Sequence, residues 1–174
     1  MTGAIFQSNR KLKLRDFTVG IFLLITGCSD SANDWGAGTT SGWTVERYVD
    51  GDTIDVRSTL GHVERVRLIG IDTPESGECG YEAATGALAL LIKGSKVQLV
   101  SGAQTNRDQM KDPRLLRYVE VNGRDIGLAM IEGGWAIAAY DSRTAFGSHD
   151  RESLYIRADQ TSQNNCPGMS PGRT

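Results

Sequence analysis

Hydrophobic and polar residues alternate over short distances from Trp43 onward, which is typical of β-strands. In WTVERYVDGDTIDVRS, apolar residues flank an Asp50-Gly51 dipeptide, a short-range signal for a β-hairpin. A third strand follows in HVERVRLIGI, and KVQLV and LLRYVEV predict two more. The last strand ends at the turn dipeptide Asn122-Gly123. The pattern therefore predicts five short strands.

Three segments have helical rather than alternating patterns. GYEAATGALALLIKG is rich in alanine and leucine, which predicts a helix of about three turns with a glycine C-cap. RDIGLAMIEGG predicts a short helix closed by glycines, and SHDRESLYIRADQTSQ predicts a polar helix that starts at Ser148. Five strands with a helix after the third predict an α+β chain that is mainly β, a small barrel with the content of an OB-fold.

The N-terminal residues predict export rather than a folded domain. A basic segment, NRKLKLRDF, precedes the apolar run FTVGIFLLI, which is too short to span a bilayer, and residues 1–27 therefore resemble a secretion signal. Ile25 to Cys28 resembles the bacterial lipobox, in which the cysteine is acylated and becomes the new N-terminus. The alternatives are an ordinary signal peptide or an uncleaved anchor helix. We expect an exported protein, lipid-anchored at Cys28 to a bacterial membrane and facing the periplasm or the exterior.

Polar segments flank the predicted domain on both sides. SDSANDWGAGTTSG has too little apolar surface to pack, so residues 28–42 predict a flexible tether. Residues 166–174, CPGMSPGRT, predict an unstructured tail. Lipidation of Cys28 leaves Cys79 and Cys166 as a pair in a compartment that permits disulfides, and we infer a bridge between them. The alternative is two free thiols.

The charge balance limits how the protein could hold nucleic acid. Removing the signal leaves 15 basic and 20 acidic residues, a net charge of −5. Proteins that bind nucleic acid through bulk electrostatics are basic, because neutralising phosphates supplies most of the non-specific affinity. Any phosphate contact in this chain must therefore be local.

One apolar stretch, VRLIGIDTPE, contains an arginine and ends on two acids. A buried Arg67 must find a carboxylate or a phosphate, because an unpaired buried charge costs several kcal/mol. The earlier segment DGDT adds Asp52, an acid that a simple hairpin turn does not need. These features predict a site, although Arg67 could instead be a structural arginine that holds Asp52 or Asp72, and Glu75 could be a solvated loop acid.

Five segments in the same order resemble the staphylococcal nuclease (thermonuclease) family. They are VDGDTIDV, VRLIGIDTPE, YEAATGAL, RLLRYVEVNG and GLAMIEGGWA, and the resemblance covers about Trp43 to Gln163. It implies a staphylococcal-nuclease-like OB-fold domain over residues 43–165 with about three helices. It also implies a calcium-dependent phosphodiesterase, a nuclease that acts on DNA and RNA. We expect a monomer.

The resemblance implies a role for each residue of the two motifs. Asp52 and Asp72 match carboxylate ligands of Ca²⁺, and Thr73 matches a ligand that uses its backbone carbonyl. Ca²⁺ takes oxygen ligands, and two carboxylates leave positions open for water and a phosphate oxygen. Glu75 matches the general base that activates the attacking water.

Arg67 and Arg114, the latter in PRLLRYV, match the two arginines that bind the scissile phosphate in the family. Planar guanidinium groups suit the charge that develops in a phosphorane-like transition state. Tyr140 matches a tyrosine that lines the nucleotide pocket, although a barrel-edge aromatic residue is the alternative.

The sequence departs from the family pattern at two places. The family usually reads Asp-(Lys/Arg)-Tyr-Gly-Arg before its second arginine, but this chain has Lys111-Asp112-Pro113-Arg114. Pro113 fixes φ and lacks an N–H, and Asp112 adds a negative charge, so the loop should differ in conformation. Ser142 stands where the family has a second aromatic residue, which should weaken base stacking by about 1–3 kcal/mol.

Two other functions remain open. The first is a catalytically silent OB-fold module that binds nucleic acid or protein at the cell surface, which would be free to lose the acids and arginines and should be more basic than this chain. The second is a lipoprotein with purely structural duties, which should bind no calcium. His62 and His149 lie far apart in sequence, and we predict both at the surface.

Overall fold

The computed structural model describes residues 42–102 and 105–166. The predicted signal peptide, Cys28, the tether up to residue 41 and the tail beyond Cys166 lie outside the described residues. The described strands and helices, in chain order, are β1 Trp43–Tyr48, β2 Thr53–Arg57, β3 Val63–Leu68, β4 Ile71–Asp72, α1 Tyr81–Ile92, β5 Lys96–Val100, β6 Leu115–Val121, β7 Arg124–Asp125, α2 Ile126–Glu132, β8 Ile137–Ala138 and α3 Glu152–Thr161.

Five of the strands close into a barrel. β1 pairs antiparallel with β2 and β5, while β2 pairs with β3 and β5 pairs with β6 in the same sense. The parallel pairing of β3 with β6, through Arg67 opposite Leu116, joins the two ends of the sheet. Closure leaves the barrel without an open edge. The predicted fold class is therefore confirmed: an α+β chain built on a five-stranded OB-fold barrel with three helices.

The first hairpin lies where the sequence predicts it. Tyr48 is opposite Ile54, and the Asp50-Gly51 dipeptide forms the connection. The Asp50 side chain accepts a hydrogen bond from the Asp52 backbone N–H at 3.0 Å, which closes a local turn. This turn places Asp52 immediately before β2.

α1 and α2 also lie where the sequence predicts helices. α1 buries Ala84, Leu88 and Ile92, which lie at four-residue intervals on one face. α2 begins after Asp125, whose side chain accepts a hydrogen bond from the Leu128 backbone N–H at 3.1 Å. The helices cover a continuous apolar core; its largest fully buried side chains are Tyr118, Tyr155, Ile54, Ile71, Leu88, Ile92, Ile126, Met130 and Ile131.

The start of α3 and the position of His149 differ from the sequence predictions. α3 begins at Glu152 rather than at Ser148. His149 is buried rather than at the surface, and its Nδ1 lies 2.8 Å from the Tyr118 hydroxyl. Burying this ring holds the chain in an irregular turn before the helix, a tertiary contact that overrides the local capping signal. His62 is exposed, as predicted.

The C-terminal segment is joined to the loop after β4. Cys79 and Cys166 form a disulfide with their Cα atoms 5.9 Å apart. The bridge links the segment that follows α3 to the loop that begins at Pro74. Within the described ranges, no helix has the length and apolar character needed to cross a membrane.

Candidate active site

Arg67 and two carboxylates form a buried ion group at one end of the barrel. Arg67 Nη2 lies 3.0 Å from Asp52 Oδ2 and 3.3 Å from Asp72 Oδ1. Arg67 is only 7% exposed and Asp52 only 4%. One nitrogen of the guanidinium thus contacts both acids, of which Asp52 lies immediately before β2 and Asp72 lies in β4.

Asp52 is also held by the residue that follows β4. Its Oδ2 accepts hydrogen bonds from the Thr73 backbone N–H at 3.1 Å and from the Thr73 hydroxyl at 3.0 Å. Its Oδ1 accepts one from the Thr53 hydroxyl at 3.1 Å. These contacts bring together DGDT and IDTPE, which are separated by about twenty residues of sequence.

The turn between β3 and β4 explains how an apolar strand accommodates Arg67. Its Nη1 donates to the Leu68 carbonyl at 3.0 Å and to the Ile71 carbonyl at 2.9 Å. Gly70 has φ +76, and a Cβ there would lie 2.4 Å from His149 Cε1, so glycine is required on both counts. The tight turn places the Ile71 carbonyl and the Asp72 carboxylate within hydrogen-bonding distance of Arg67.

The electrostatics of this group favour an additional cation. Burial raises the pKa of Asp52 to about 7; Arg67 opposes this shift, and Asp50 and Asp72 add to it. Burial also works against the Arg67 charge, but Asp52, Tyr140 and Asp72 together outweigh it and raise the pKa of Arg67. One guanidinium therefore faces the three acids Asp50, Asp52 and Asp72, and a bound cation would favour the ionised form of Asp52.

The donor set fits a hard cation such as Ca²⁺. The predicted ligands are the carboxylates of Asp52 and Asp72 and the backbone carbonyl of Thr73, and such ions prefer oxygen ligands of these kinds. In the part of the chain that the structure describes, no three His, Cys, Asp or Glu side chains form a metal-binding cluster. Protein carboxylates alone would therefore not complete the coordination, and water or substrate oxygen would have to supply the remaining ligands.

A cleft of about 700 Å³ opens beside the ion group. The residues that line it include Arg67, Arg114, Tyr140, His149 and Met110. The cleft therefore brings the two predicted phosphate-binding arginines to one surface, although the motifs that contain them are far apart in sequence.

Arg114 is oriented by an acid that the sequence reasoning missed. Arg114 Nε donates to Asp108 Oδ2 at 2.6 Å, and the Arg114 backbone N–H donates to Asp108 Oδ1 at 2.9 Å. Burial acts to raise the pKa of Asp108, but the hydrogen bonds from Arg114 outweigh it and lower that pKa. Asp112, the acid singled out by the altered motif, is exposed. An acid six residues before an arginine is not a recognisable sequence motif, so the sequence alone did not indicate the contact between Asp108 and Arg114.

Tyr140 belongs to the ion group rather than only to the barrel edge. Its hydroxyl donates to Asp72 Oδ1 at 3.3 Å, and Arg67 Cζ lies 5.2 Å from the centre of its ring. Burial raises the pKa of the Tyr140 hydroxyl. The ring also meets Phe146 edge to face, with centroids 5.0 Å apart. No motif identified Phe146 from sequence.

Glu75 lies apart from the buried group, on the exposed loop after β4. Its backbone N–H donates to Glu78 Oε2 at 3.0 Å, and its carbonyl accepts from the Glu78 backbone N–H at 2.9 Å. Across residues 42–102 and 105–166, the Glu75 carboxylate has no hydrogen-bond or ion-pair partner. The structure thus brings together Asp52, Asp72, Thr73, Arg67 and Tyr140, sets Arg114 along the same cleft, and leaves the Glu75 side chain in solvent.

Comparisons with known proteins identify one family and several relatives named as endonucleases. A family model described as "Staphylococcal nuclease homologue" matches residues 65–168, more than half of the chain. The SPbeta prophage-derived endonuclease YokF of Bacillus subtilis is 38% identical over 103 residues, covering 56% of this chain and 34% of that protein. Endonuclease YncB of the same organism is 35% identical over 103 residues, covering 56% of this chain and 47% of that protein.

A third relative matches over a longer range. An uncharacterized endonuclease of Haemophilus influenzae is 27% identical over 157 residues, covering 89% of this chain and 75% of that protein. The chain spans less than half the length of the two Bacillus subtilis relatives.

Proposed function

The chain belongs to the staphylococcal nuclease homologue family, and from this premise we propose that it is a calcium-dependent nuclease that hydrolyses phosphodiester bonds of DNA and RNA. One observation carries the proposal: in the buried ion group two carboxylates share one arginine, and this group lies beside a cleft that Arg67 and Arg114 line. The first feature suits a hard cation, and the second suits a phosphate. Three relatives named as endonucleases support the same activity.

Asp52 and Asp72 would hold Ca²⁺ through their carboxylates, and Thr73 through its backbone carbonyl. When bound, the ion supplies Lewis-acid polarisation of a phosphate oxygen. The hydrogen bonds from Thr73 to Asp52 fix the positions of two of the three proposed ligand residues relative to each other. When no metal ion is bound, the positive charge of Arg67 offsets the repulsion between the two carboxylates.

Arg67 and Arg114 would bind the phosphate and the charge that builds on its equatorial oxygens. Arg67 is fixed by two backbone carbonyls, and Arg114 by Asp108, so neither guanidinium needs to be ordered at the moment of reaction. Loss of one preorganised donor of this kind costs about 3 kcal/mol of transition-state stabilisation.

Glu75 would act as the general base. Its carboxylate accepts a proton from water, the water oxygen forms a bond to phosphorus, and the bond from phosphorus to the leaving oxygen breaks. The leaving oxygen then takes a proton from solvent. The exposed position of Glu75 is compatible with this role, because its side chain is held by no other described residue.

We further propose that the domain works outside the cytoplasm. In this proposal residues 1–27 are a signal peptide, Cys28 carries the lipid anchor of a bacterial membrane, residues 28–42 are a tether and the nuclease domain acts as a monomer. The lipobox-like ending of the apolar run supports it. The disulfide between Cys79 and Cys166 also supports it, because such bonds persist in oxidising compartments.

Hydrolysis assays with and without calcium test the proposed function. Purified protein should cleave fluorescently labelled DNA and RNA in Ca²⁺, lose activity in excess chelator and recover it when Ca²⁺ is restored. An Arg67→Ala preparation made in parallel controls for contaminating nucleases. Activity that survives chelation would contradict calcium dependence, and tight binding without cleavage would favour the silent OB-fold module.

A further inference from the structure

The proposed general base lies on a loop whose middle part is exposed. This Glu75 loop, residues 73–80, connects β4 to α1; it begins at the buried Thr73, and residues 75–79 are exposed. The Glu75 backbone N–H donates to Glu78 Oε2, and the Glu75 carbonyl accepts from the Glu78 backbone N–H. Both contacts lie within the loop, so the position of Glu75 depends on how the loop is attached to the rest of the domain.

The disulfide attaches this loop at the end that precedes α1. Cys79 belongs to the exposed part of the loop, whereas its partner Cys166 is only 8% exposed. A Cβ on Gly80 would lie 2.7 Å from Cys166 Sγ and 3.3 Å from Pro74 Cγ, so glycine is required for this close approach. Cys166 therefore packs on the side of Gly80 that also faces Pro74, the residue directly before Glu75.

Cys166 in turn belongs to a segment that is fixed to the end of α2. The Asn165 backbone N–H donates to the Gly134 carbonyl at 3.0 Å, and Asn165 Nδ2 donates to the Gly133 carbonyl at 2.6 Å. The backbones also approach closely, because a Cβ on Gly134 would clash with the Gln163 carbonyl oxygen. α2 contributes the fully buried Met130 to the core. The disulfide thus joins the exposed part of the Glu75 loop to a segment held against the core.

We propose that the Cys79–Cys166 disulfide positions Glu75 for proton transfer, so that the rate of hydrolysis depends on the redox state of this bond. The inference rests on the proposed nuclease function and adds its regulation. A general base must lie within hydrogen-bonding reach of the proton that it takes, directly or through one water. Breaking the bond removes the covalent tie between the loop and the C-terminal segment, and the Glu75 carboxylate then spends less time at the productive position.

The exposure of Cys79 lets an external thiol reach the bond from that side. A thiolate of a dithiol reductant attacks Cys79 Sγ, the S–S bond breaks, and Cys166 leaves as a thiolate that takes a proton. The second thiol of the reductant attacks the mixed disulfide, releases Cys79 as a thiol and closes the reductant into a cyclic disulfide. Two electrons pass from the reductant to the protein. The nuclease should therefore work at its full rate only where disulfides persist.

Steady-state hydrolysis by oxidised and reduced wild-type protein tests the proposal. Reduction with dithiothreitol should lower kcat by about 10- to 100-fold, the range expected when a catalytic group is misplaced, while KM and calcium affinity stay within about twofold. Re-oxidation with oxidised glutathione should restore kcat. Cys79→Ser with Cys166→Ser should have the kcat of reduced wild type and should not respond to dithiothreitol. Circular dichroism selects a temperature at which each form is folded.

The same treatment of Glu75→Gln separates positioning from a general loss of structure. Reduction should leave the residual rate of this variant within about twofold, because the carboxylate through which the bond acts is already absent. Glu82→Gln is the matched control: it replaces an exposed acid at the start of α1 and should respond to reduction as wild type does.

Three results would overturn the positioning role. They are an unchanged kcat for reduced wild type, an equal fall for wild type and Glu75→Gln, and a reduced protein that is unfolded at every temperature, since the bond would then act on the fold as a whole. If oxidised wild-type protein hydrolyses neither DNA nor RNA, the proposed function itself fails and the inference fails with it. Hydrolysis that is indifferent to the redox state refutes the inference alone.

Discussion

Arg67 is the residue around which the site is organised. One terminal nitrogen contacts both Asp52 and Asp72, and the other donates to two backbone carbonyls. The two interpretations that the sequence leaves open, a structural arginine and a phosphate ligand, are therefore compatible. The carboxylates hold the guanidinium at the cleft, where its position suits a phosphate.

Replacing Arg67 should destabilise the protein more than it would at an ordinary surface ion pair. Arg67→Ala leaves buried carboxylates uncompensated, so the free energy of unfolding in chelator should fall by about 3–5 kcal/mol. Calcium should restore part of this loss, because an ion that binds the folded state stabilises it. Urea denaturation with and without calcium measures both effects.

Arg65→Ala is the matched control for that experiment. Arg65 lies two positions away on β3 and pairs with Asp55 at 2.8 Å, but its side chain is 46% exposed. Removing an exposed pair should change the free energy of unfolding by about 1 kcal/mol or less. Equal losses for the two variants would show that Arg67 does not compensate the buried acids.

Asp72 and Glu75 should separate metal binding from catalysis. Asp72→Ala should lose calcium affinity and hydrolysis together, since a carboxylate ligand disappears. Glu75→Gln should keep calcium affinity, while hydrolysis falls by about 10²-fold or more because the amide cannot accept the water proton. Calorimetric calcium titration beside a hydrolysis assay distinguishes them, with Glu82→Gln as an exposed acid control. If Glu75→Gln loses the metal as fully as Asp72→Ala, Glu75 is a ligand instead.

At the scale of elements, the loop between β5 and β6 provides a different support for the second arginine. With Pro113 in place of the family's tyrosine and glycine, this loop cannot take the backbone conformation expected for the family. The Pro113 carbonyl accepts a hydrogen bond from Arg107 Nη1 at 3.1 Å. Asp108 then holds Arg114 by its Nε and its backbone N–H. The altered loop therefore keeps Arg114 at the cleft through contacts of its own.

Removing Asp108 should disorient Arg114 without changing the residues proposed to bind calcium. Asp108→Ala should lower kcat/KM by about 10- to 100-fold, the range expected when a catalytic group is misplaced. Calcium affinity, measured by calorimetry, should stay at the wild-type value. Asp112→Ala, an exposed acid in the same loop, should leave both quantities near wild type. An Asp108→Ala variant indistinguishable from Asp112→Ala would remove this positioning role.

At the scale of the whole molecule, the disulfide should stabilise the fold substantially. Cys79 and Cys166 are 87 residues apart, and closing a loop of that length contributes about 4 kcal/mol in the chain-entropy model. Cys79→Ser with Cys166→Ser should lower the urea midpoint, and reduction of wild-type protein should reproduce the change. Thiol labelling of denatured, unreduced wild type should detect neither cysteine; detection of both would refute the bridge.

The proposed anchor predicts a change of location without a change of chemistry. Cys28→Ser should release or mislocalise the protein, because the acyl chains that hold it are lost. Its calcium-dependent hydrolysis should be retained, since the anchor lies outside the barrel. Membrane fractionation and metabolic labelling with palmitate measure the effect, and the absence of lipid on the wild-type protein would contradict the proposal.

The sequence by itself determined the elements whose signals are local. The hairpin at Asp50-Gly51, the helices α1 and α2 and the turn at Asn122-Gly123 depend on residues a few positions apart. Turn residues with φ above zero, such as Gly123 at +78, and apolar spacing along a helix act within one turn of chain. The number and order of these elements predicted the barrel, and the family resemblance added the roles proposed for the residues of the site.

Only the tertiary structure decided which distant residues support one another. Closure of the barrel through β3 and β6, the hydrogen bonds of Asp108 to Arg114, the burial of His149 and the exposed ring of Phe146 beside Tyr140 have no local signature. Two-residue strands such as β4 and β8 likewise exist because they pair with each other. The physical reason is that these contacts depend on surfaces that only folding brings together, so their energies can override a local preference, as His149 does for the predicted start of α3.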